Sequence, residues 1–136
     1  VTKVHSSLSK ESPIKISSIE TLLKENLKQV IDSNNEVSFT WRYDYQAKLR
    51  NLVSPSEEQV VEVIKSIECG VLMIEGDKGF LKTRYSSPTK SKQLDNRKKS
   101  FKNLKLIVLE DQGHYLHMDV PNLLAHLILE FISTQS

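Results

Sequence analysis

The sequence contains one cysteine, four glycines and four prolines in 136 residues, and it has no long apolar run. The single cysteine, Cys69, excludes an internal disulfide framework and is typical of a reducing compartment, so we expect a cytoplasmic location. No apolar segment approaches the roughly 18 to 20 residues that span a bilayer. The N-terminal 15 residues lack the apolar region of a secretory signal. These absences predict a globular protein without a membrane span.

The formal net charge of +2 is too small for the whole molecule to favour a polyanionic partner. The charge is nevertheless uneven, because the segment 78–105 holds ten Lys or Arg side chains and a single acid, Asp95. Such a segment fits either a nucleic-acid-binding surface or a solvated crossover that acids elsewhere balance. The lack of interleaved aromatic residues favours the crossover, and we expect no nucleic-acid partner.

Three segments have the pattern of amphipathic helices. Ser17-Ser-Ile-Glu20 has the form of a capping box, and the apolar stripe behind it continues to Ile31 before the turn-forming segment 32–35. Ser56 and Gln59 form a second capping box before an apolar face. Pro121 stands where a third helix would begin. Between the first two, the aromatic segment 37–46 predicts a short strand or an ordered loop.

Two short apolar segments, 69–74 and 104–109, have the pattern of strands that are buried on both faces. A long polar segment separates them, with a weak helical pattern over 90–103. Strands joined by such a crossover are expected to be parallel, so the fold class is α/β. Two strands make a small sheet, and we expect them to form the edge of a larger one.

Chemical groups follow both predicted strands. The first strand leads into Glu75-Gly-Asp-Lys-Gly79, and the second leads into Glu110-Asp-Gln-Gly-His114. The carboxyl ends of parallel strands share one edge of the sheet, where functional groups gather. Asp77 and His114 would therefore lie close together. A carboxylate beside an imidazole fixes the ring tautomer and stabilises its protonated form, as a general base requires.

The remaining candidates have simpler explanations. His114, His117 and Asp119 are residue types that bind zinc, but the His-x-x-His spacing has no further partner, so no metal or other cofactor is expected. His117 is interpreted as structural, and His126 on the last helix as having no chemical role. Cys69 is interpreted as a small hydrophobic residue before a buried strand.

The segment Gly113-His-Tyr-Leu-His-Met-Asp-Val-Pro121, followed by a helix, resembles the histidine loop of the α/β-hydrolase superfamily. Trp41-Arg-Tyr-Asp44, Ser56 to Gln59 and Ile67 to Ile74 resemble the end of the cap and the next core strand in its serine hydrolase-like branch. The resemblance extends over roughly residues 17–133.

This resemblance implies a cap remnant and linker over residues 1–53 and the C-terminal part of the α/β-hydrolase core over residues 54–136. It implies that His114 is the catalytic base and Asp77 the acid. The acid in this superfamily usually lies about three residues after the glycine, where this chain has Gly79. Other members carry the acid on an earlier strand, which leaves its identity open.

The implied activity is that of a serine hydrolase acting on a small ester or acyl substrate, without a cofactor. The sequence has no G-x-S-x-G elbow to carry the nucleophile. It also lacks an initiating Met, which predicts a portion of a longer protein that is inactive alone. The alternative is a truncated, catalytically dead hydrolase-like protein with a binding role. In either case an uncovered sheet edge predicts self-association.

Overall fold

The computed structural model of the chain describes residues 13–44, 46 and 54–135. These residues form helices and two small sheets, each of two strands. In chain order the elements are α1 (Ile16–Asn26), β1 (Leu27–Ile31), β2 (Val37–Trp41), α2 (Glu57–Lys65), β3 (Val71–Gly76), α3 (Phe80–Arg84), α4 (Pro88–Ser100), β4 (Leu104–Leu109), α5 (Leu116–Asp119) and α6 (Pro121–Ser133). The predicted α/β class is confirmed in this general form.

The first helix is shorter than its apolar stripe predicts. It ends at Asn26, and the next five residues form β1, which pairs antiparallel with β2. The prediction of helix through Ile31 is therefore wrong. The register places Ile31 opposite Val37 and Leu27 opposite Trp41, and such β-branched and aromatic cross-strand pairs stabilise a hairpin. Taken alone, the apolar residues at the end of the stripe are compatible with either a helix or a strand.

The turn predicted over residues 32–35 is confirmed. Asp32 Oδ1 accepts hydrogen bonds from the backbone N–H groups of Asn34 and Glu36, at 2.8 and 2.9 Å. Asn35 adopts a φ of 62°, in the left-handed region that asparagine tolerates better than most residues. The aromatic segment that follows forms a strand, β2, as one of the two predicted alternatives.

The second helix begins as predicted. Ser56 is the N-cap of α2; its hydroxyl accepts from the Gln59 N–H at 3.3 Å. The Gln59 side chain in turn accepts from the Ser56 N–H at 2.8 Å, which completes the capping box. The predicted boundary between residues 53 and 54 falls beside the segment 47–53, which lies outside the described residues.

The parallel strand pair is confirmed, with a register that runs from Val71 opposite Leu104 to Gly76 opposite Leu109. The expected burial on both faces is wrong, because every residue of β3 is only half-buried and Val108 of β4 is 50 % exposed. Two strands with few helices around them leave much of each face uncovered. Cys69 is likewise exposed rather than part of the core.

The crossover between β3 and β4 contains two helices, α3 and α4. The weak helical pattern over 90–103 corresponds to α4, which begins at Pro88 and ends at Ser100. This helix packs on α2 through polar contacts, since Arg97 and Gln93 both donate hydrogen bonds to Glu57. A polar interface explains why α4 has no apolar stripe.

The last helix, α6, has Pro121 at its first turn, as predicted. Its apolar face is only partly covered, and Leu129 and Ile132 are 66 % and 57 % exposed. The short helix α5 precedes it and was not predicted. It places Leu116 and Asp119 in buried positions beside α1.

The capping box predicted at Ser17 does not form. Helix α1 has Lys15 as its N-cap residue, without a capping bond from that side chain. Instead, Asp119 Oδ1 accepts from the Lys15 backbone N–H at 3.1 Å and from the buried Ser18 hydroxyl at 2.6 Å. A carboxylate is favourable at the positive end of a helix. A distant residue therefore replaces the local cap.

Candidate functional site

The loops that leave β3 and β4 are joined by main-chain hydrogen bonds. The Asp77 N–H donates to the Leu109 carbonyl at 3.0 Å, and the Lys78 N–H donates to the Gln112 carbonyl at 3.0 Å. A salt bridge of 2.7 Å between Lys78 and Asp111 adds a side-chain link. The two loops therefore lie side by side at one edge of the sheet, as the parallel arrangement predicts.

The close approach of the loops requires glycine at position 76. A Cβ atom at Gly76 would overlap the carbonyl oxygens of Gln112 and Gly113, which are main-chain atoms with little room to move. On the other loop, Asp111 has a φ of 58° and so makes the left-handed turn that follows β4. These two positions set the path of the segment that leads to the histidine.

His114 lies in the loop between β4 and α5 and places its ring against Phe80, the first residue of α3. The ring centroids are 4.2 Å apart, and the planes are perpendicular. Tyr115 makes a second edge contact with the imidazole at 5.4 Å. The residue as a whole is exposed, but Phe80 shields one side of the ring.

This environment lowers the pKa of His114 below its usual value of 6.5. The larger cause is partial burial of the ring, which disfavours the charged form, and the second is repulsion from His117. A neutral imidazole at neutral pH is the form that accepts a proton, so the direction of the shift suits a general base.

Asp77 lies on the facing loop, at the start of the crossover. Its Oδ1 atom is buried and has no hydrogen-bond partner among the described residues. It therefore accepts no hydrogen bond from His114 in this arrangement. The structure brings the two loops together, while leaving this carboxylate oxygen unpaired. A buried oxygen without a hydrogen-bond partner is energetically unfavourable, so a hydrogen-bond donor near Asp77 would be stabilising.

A cleft of about 580 Å³ lies beside Asp77, between the sheet and the crossover helices. We name it the Asp77 cleft, and its lining residues are Glu75, Gly76, Asp77, Leu81, Lys82, Tyr85, Ser86, Ser91, Leu94 and Val108. His114 is outside this lining. The sequence pattern identified Asp77, but nothing in it indicated that α3 and α4 would enclose a cleft next to that residue.

Ion pairs hold the helices that form the walls of the cleft. Lys98 of α4 contacts Glu75 of β3 at 2.8 Å, and Arg97 contacts Glu57 of α2 at 2.5 Å. The hydrogen bonds from Arg97 and Gln93 lower the pKa of Glu57, the bond from Arg97 being the larger cause. Arg97 also donates to the Tyr85 hydroxyl at 3.3 Å.

Five of the ten Lys and Arg side chains in the basic segment 78–105 form salt bridges with acids outside it. Lys78, Arg97 and Lys98 are paired as described above, and two further pairs join Lys102 to Glu68 and Lys105 to Glu130. Acids outside the segment therefore balance half of its cationic side chains, and the rest of its positive charge stays uncompensated by these pairs.

The other candidate residues do not assemble into a metal site. Within residues 13–44, 46 and 54–135, no group of three or more His, Cys, Asp or Glu side chains is arranged to hold a metal ion. His117 lies on α5, where it lines a small groove with Ser17 and Thr21. Asp119 is instead engaged by α1, and His126 is exposed on α6.

Phe80 is a residue of the site that sequence analysis missed. Its ring contacts His114 on one side, and the Arg84 guanidinium lies 5.9 Å from its centroid. An aromatic residue directly after a glycine-rich loop was the available signal. Its importance depends on the approach of the two loops, which local patterns do not specify.

Comparisons with protein-family models, with curated proteins and with solved structures find no match to this chain. Its function is therefore argued from the residues and their geometry. Among the helices of the described ranges, none has both the length and the apolar character needed to cross a bilayer.

Proposed function

We propose that this chain contributes the base and the acid of a serine hydrolase of the α/β-hydrolase superfamily, forming the C-terminal part of its core. The substrate is a small ester or related acyl compound. His114 removes the proton from a serine hydroxyl and returns it to the leaving group, and Asp77 orients the imidazole. No cofactor takes part in this mechanism.

One observation carries the proposal: the exit loops of two parallel strands are bonded together and present Asp77 and His114 at the same edge. The main-chain bonds from Asp77 to Leu109 and from Lys78 to Gln112 hold the two loops side by side. The lowered pKa of His114 supports the same role, because it keeps the ring neutral near neutral pH.

The proposal requires a rearrangement of side chains, a serine and an oxyanion hole. Asp77 Oδ1 has no donor among the described residues, and His114 lies against Phe80. Catalytic hydrogen bonds often tighten only when the substrate is bound. The serine belongs to a G-x-S-x-G elbow, which the 136 residues do not contain. The chain by itself is therefore expected to show no serine-dependent turnover.

The test is ester hydrolysis by a longer polypeptide that contains this chain together with an upstream G-x-S-x-G elbow. His114→Ala should lower kcat/KM by at least about 10⁴-fold, because a triad without its base loses nearly all of its rate advantage. His126→Ala, at an exposed position on α6, is the matched control and should retain full activity.

Retention of activity by His114→Ala would exclude this residue as the base. An upstream coding sequence without an elbow would leave the alternative interpretation, a hydrolase-like protein that binds ligands without turning them over. The Asp77 cleft is the feature that favours this second candidate, because a cleft of that size serves binding without a nucleophile.

A further inference from the structure

The Asp77 cleft combines an apolar wall with a carboxylate whose Oδ1 atom has no hydrogen-bond partner among the described residues. Its volume of about 580 Å³ is typical of a site for a small molecule. Leu81 and Leu94 from the crossover helices and Val108 from β4 supply the apolar surface. Ser86 and Ser91 also line the cleft and are its hydroxyl-bearing residues together with Tyr85.

The two acids of the cleft differ in their electrostatic environment. Glu75 is neutralised by Lys98, whose Nζ lies 2.8 Å from the Glu75 Oε1 atom. Asp77 has a buried Oδ1 without a hydrogen-bond partner among the described residues. The neighbouring Lys78 ammonium forms its salt bridge with Asp111, and its electrostatic attraction to Asp77 is the smaller of the two. Asp77 is therefore the lining acid that a ligand can still satisfy.

A donor in the cleft can reach this carboxylate after a small movement. Asp77 lines the cleft, and the χ2 torsion of aspartate is broad, so rotation about χ2 can turn a carboxylate oxygen toward a donor in the cleft. Hydrogen bonds to a charged group are stronger than those between neutral groups. Among neutral and charged donors, an ammonium group forms the strongest hydrogen bond with a carboxylate. The exposed Lys82 at the rim repels a bound ammonium group only weakly, because water and salt screen the lysine charge.

We propose that the Asp77 cleft binds a small primary amine, whose ammonium group donates to Asp77 and whose apolar part lies against Leu81, Leu94 and Val108. The site does not depend on the hydrolase activity, because binding requires neither the serine nor His114.

The test is a titration of the 136-residue chain followed by NMR of its methyl groups, with 2-phenylethylamine as the probe. The amine should produce saturable shifts at Leu81, Leu94 and Val108. Two comparison ligands share its shape: 2-phenylethanol has a neutral donor, and ethylbenzene has none. We expect the alcohol to bind about tenfold or more weakly than the amine, and ethylbenzene more weakly still.

Variants separate the carboxylate from the rest of the cleft. Asp77→Asn keeps the shape of the side chain and removes its charge, and it should weaken amine binding about tenfold or more. Asp95→Asn removes a charge from an exposed position of α4 outside the lining and should leave the affinity unchanged. Ser91→Phe, at an exposed position on the rim, should block entry of all three ligands.

Equal amine affinity in Asp77→Asn and in the unsubstituted chain would overturn the proposal, and so would ethylbenzene binding as tightly as the amine. Circular dichroism checks that each variant is folded. If Asp77→Asn does not fold, the Ser91→Phe variant tests the proposal instead. Unchanged amine binding in Ser91→Phe would show that the amine binds outside the cleft. A further outcome is that His114→Ala abolishes ester hydrolysis in the longer polypeptide while the 136-residue chain binds no amine. That combination would exclude the amine site and leave the hydrolase proposal intact.

Discussion

His114 combines solvent exposure with a ring that is shielded on one side. Phe80 contacts the imidazole edge-on, and His117 adds a second unfavourable influence on its protonated form. The folded chain therefore holds the ring neutral more strongly than the unfolded chain does. This property is the chemical basis of the base assignment, and it can be measured without any substrate.

We expect the stability of the chain to depend on pH through His114. The pKa is lower in the folded state than the usual 6.5, so the unfolded state binds the proton more readily below that pH. Stability should be unaffected by this group above about pH 6.5 and should decline as the pH falls below it. The effect is expected to be modest, because the residue is exposed and water screens the interaction.

Urea unfolding across this pH range provides the measurement, with His114→Gln as the comparison. The variant should lack the part of the acid-induced decline that His114 causes. Superimposable pH profiles for the two proteins would show that the folded environment leaves this ring unperturbed. Direct titration of the ring signal by NMR should place its pKa below 6.5.

Helix α1 is attached to α5 mainly through hydrogen bonds to Asp119. The Asp119 carboxylate on α5 accepts from the Lys15 N–H and from the Ser18 hydroxyl, and the Asp119 carbonyl accepts from the Lys15 ammonium at 2.5 Å. Ser18 and Asp119 are both buried, beside the fully buried Ile19. The contact replaces a capping box with a bond across about a hundred residues of sequence.

Asp119→Ala is expected to lower the free energy of unfolding by about 1.5 to 3 kcal/mol, because the hydrogen bonds from the Lys15 N–H and the Ser18 hydroxyl to a charged acceptor are lost. The Ser18 hydroxyl keeps the Met118 carbonyl as an acceptor, at 3.1 Å. Urea unfolding checks the value, and the far-UV circular dichroism of the folded baseline reports loss of α1. Asp95→Ala, at an exposed position, is the control and should change stability by no more than about 0.5 kcal/mol. Equal stability of the two variants would contradict this account of α1.

The described part of the molecule leaves much apolar surface uncovered. Leu106, Val108, Leu129 and Ile132 are between 40 % and 66 % exposed, and the buried hydrophobic set among the described residues is small: Ile14, Ile19, Val61 and Leu116. The β3–β4 pair also has two outer edges without a described partner strand. Exposed strand edges and apolar patches favour association.

The 136-residue chain should therefore associate with itself in a concentration-dependent way, as size-exclusion chromatography with light scattering would reveal. Leu129→Lys combined with Ile132→Lys places charges on the exposed face of α6, and reduced association would assign the contact to that face. Unchanged association in the double variant would point to the sheet edge. A monodisperse monomer with a sharp melting transition would contradict the prediction altogether.

The features that local sequence patterns predicted correctly are those in which residues close in sequence provide the stabilising contacts for each other. Ser56 and Gln59 form their capping box three residues apart, Asp32 closes its own turn, and Pro121 begins α6. The two apolar segments became parallel strands because a long crossover leaves few other arrangements. Their alignment also placed Asp77 and His114 on adjoining loops.

The sequence predictions that were wrong, and the features that were missed, share a different physical origin. The stripe that ended at Ile31 became a hairpin because Val37 and Trp41 supplied cross-strand partners, and Ser17 lost its capping role to Asp119 from the far end of the chain. The cleft beside Asp77 and the contact of Phe80 with His114 likewise arise between distant segments. Contacts between residues close in sequence can be predicted from the sequence itself. Burial, cavities and long-range hydrogen bonds depend on which surfaces the folded backbone brings together.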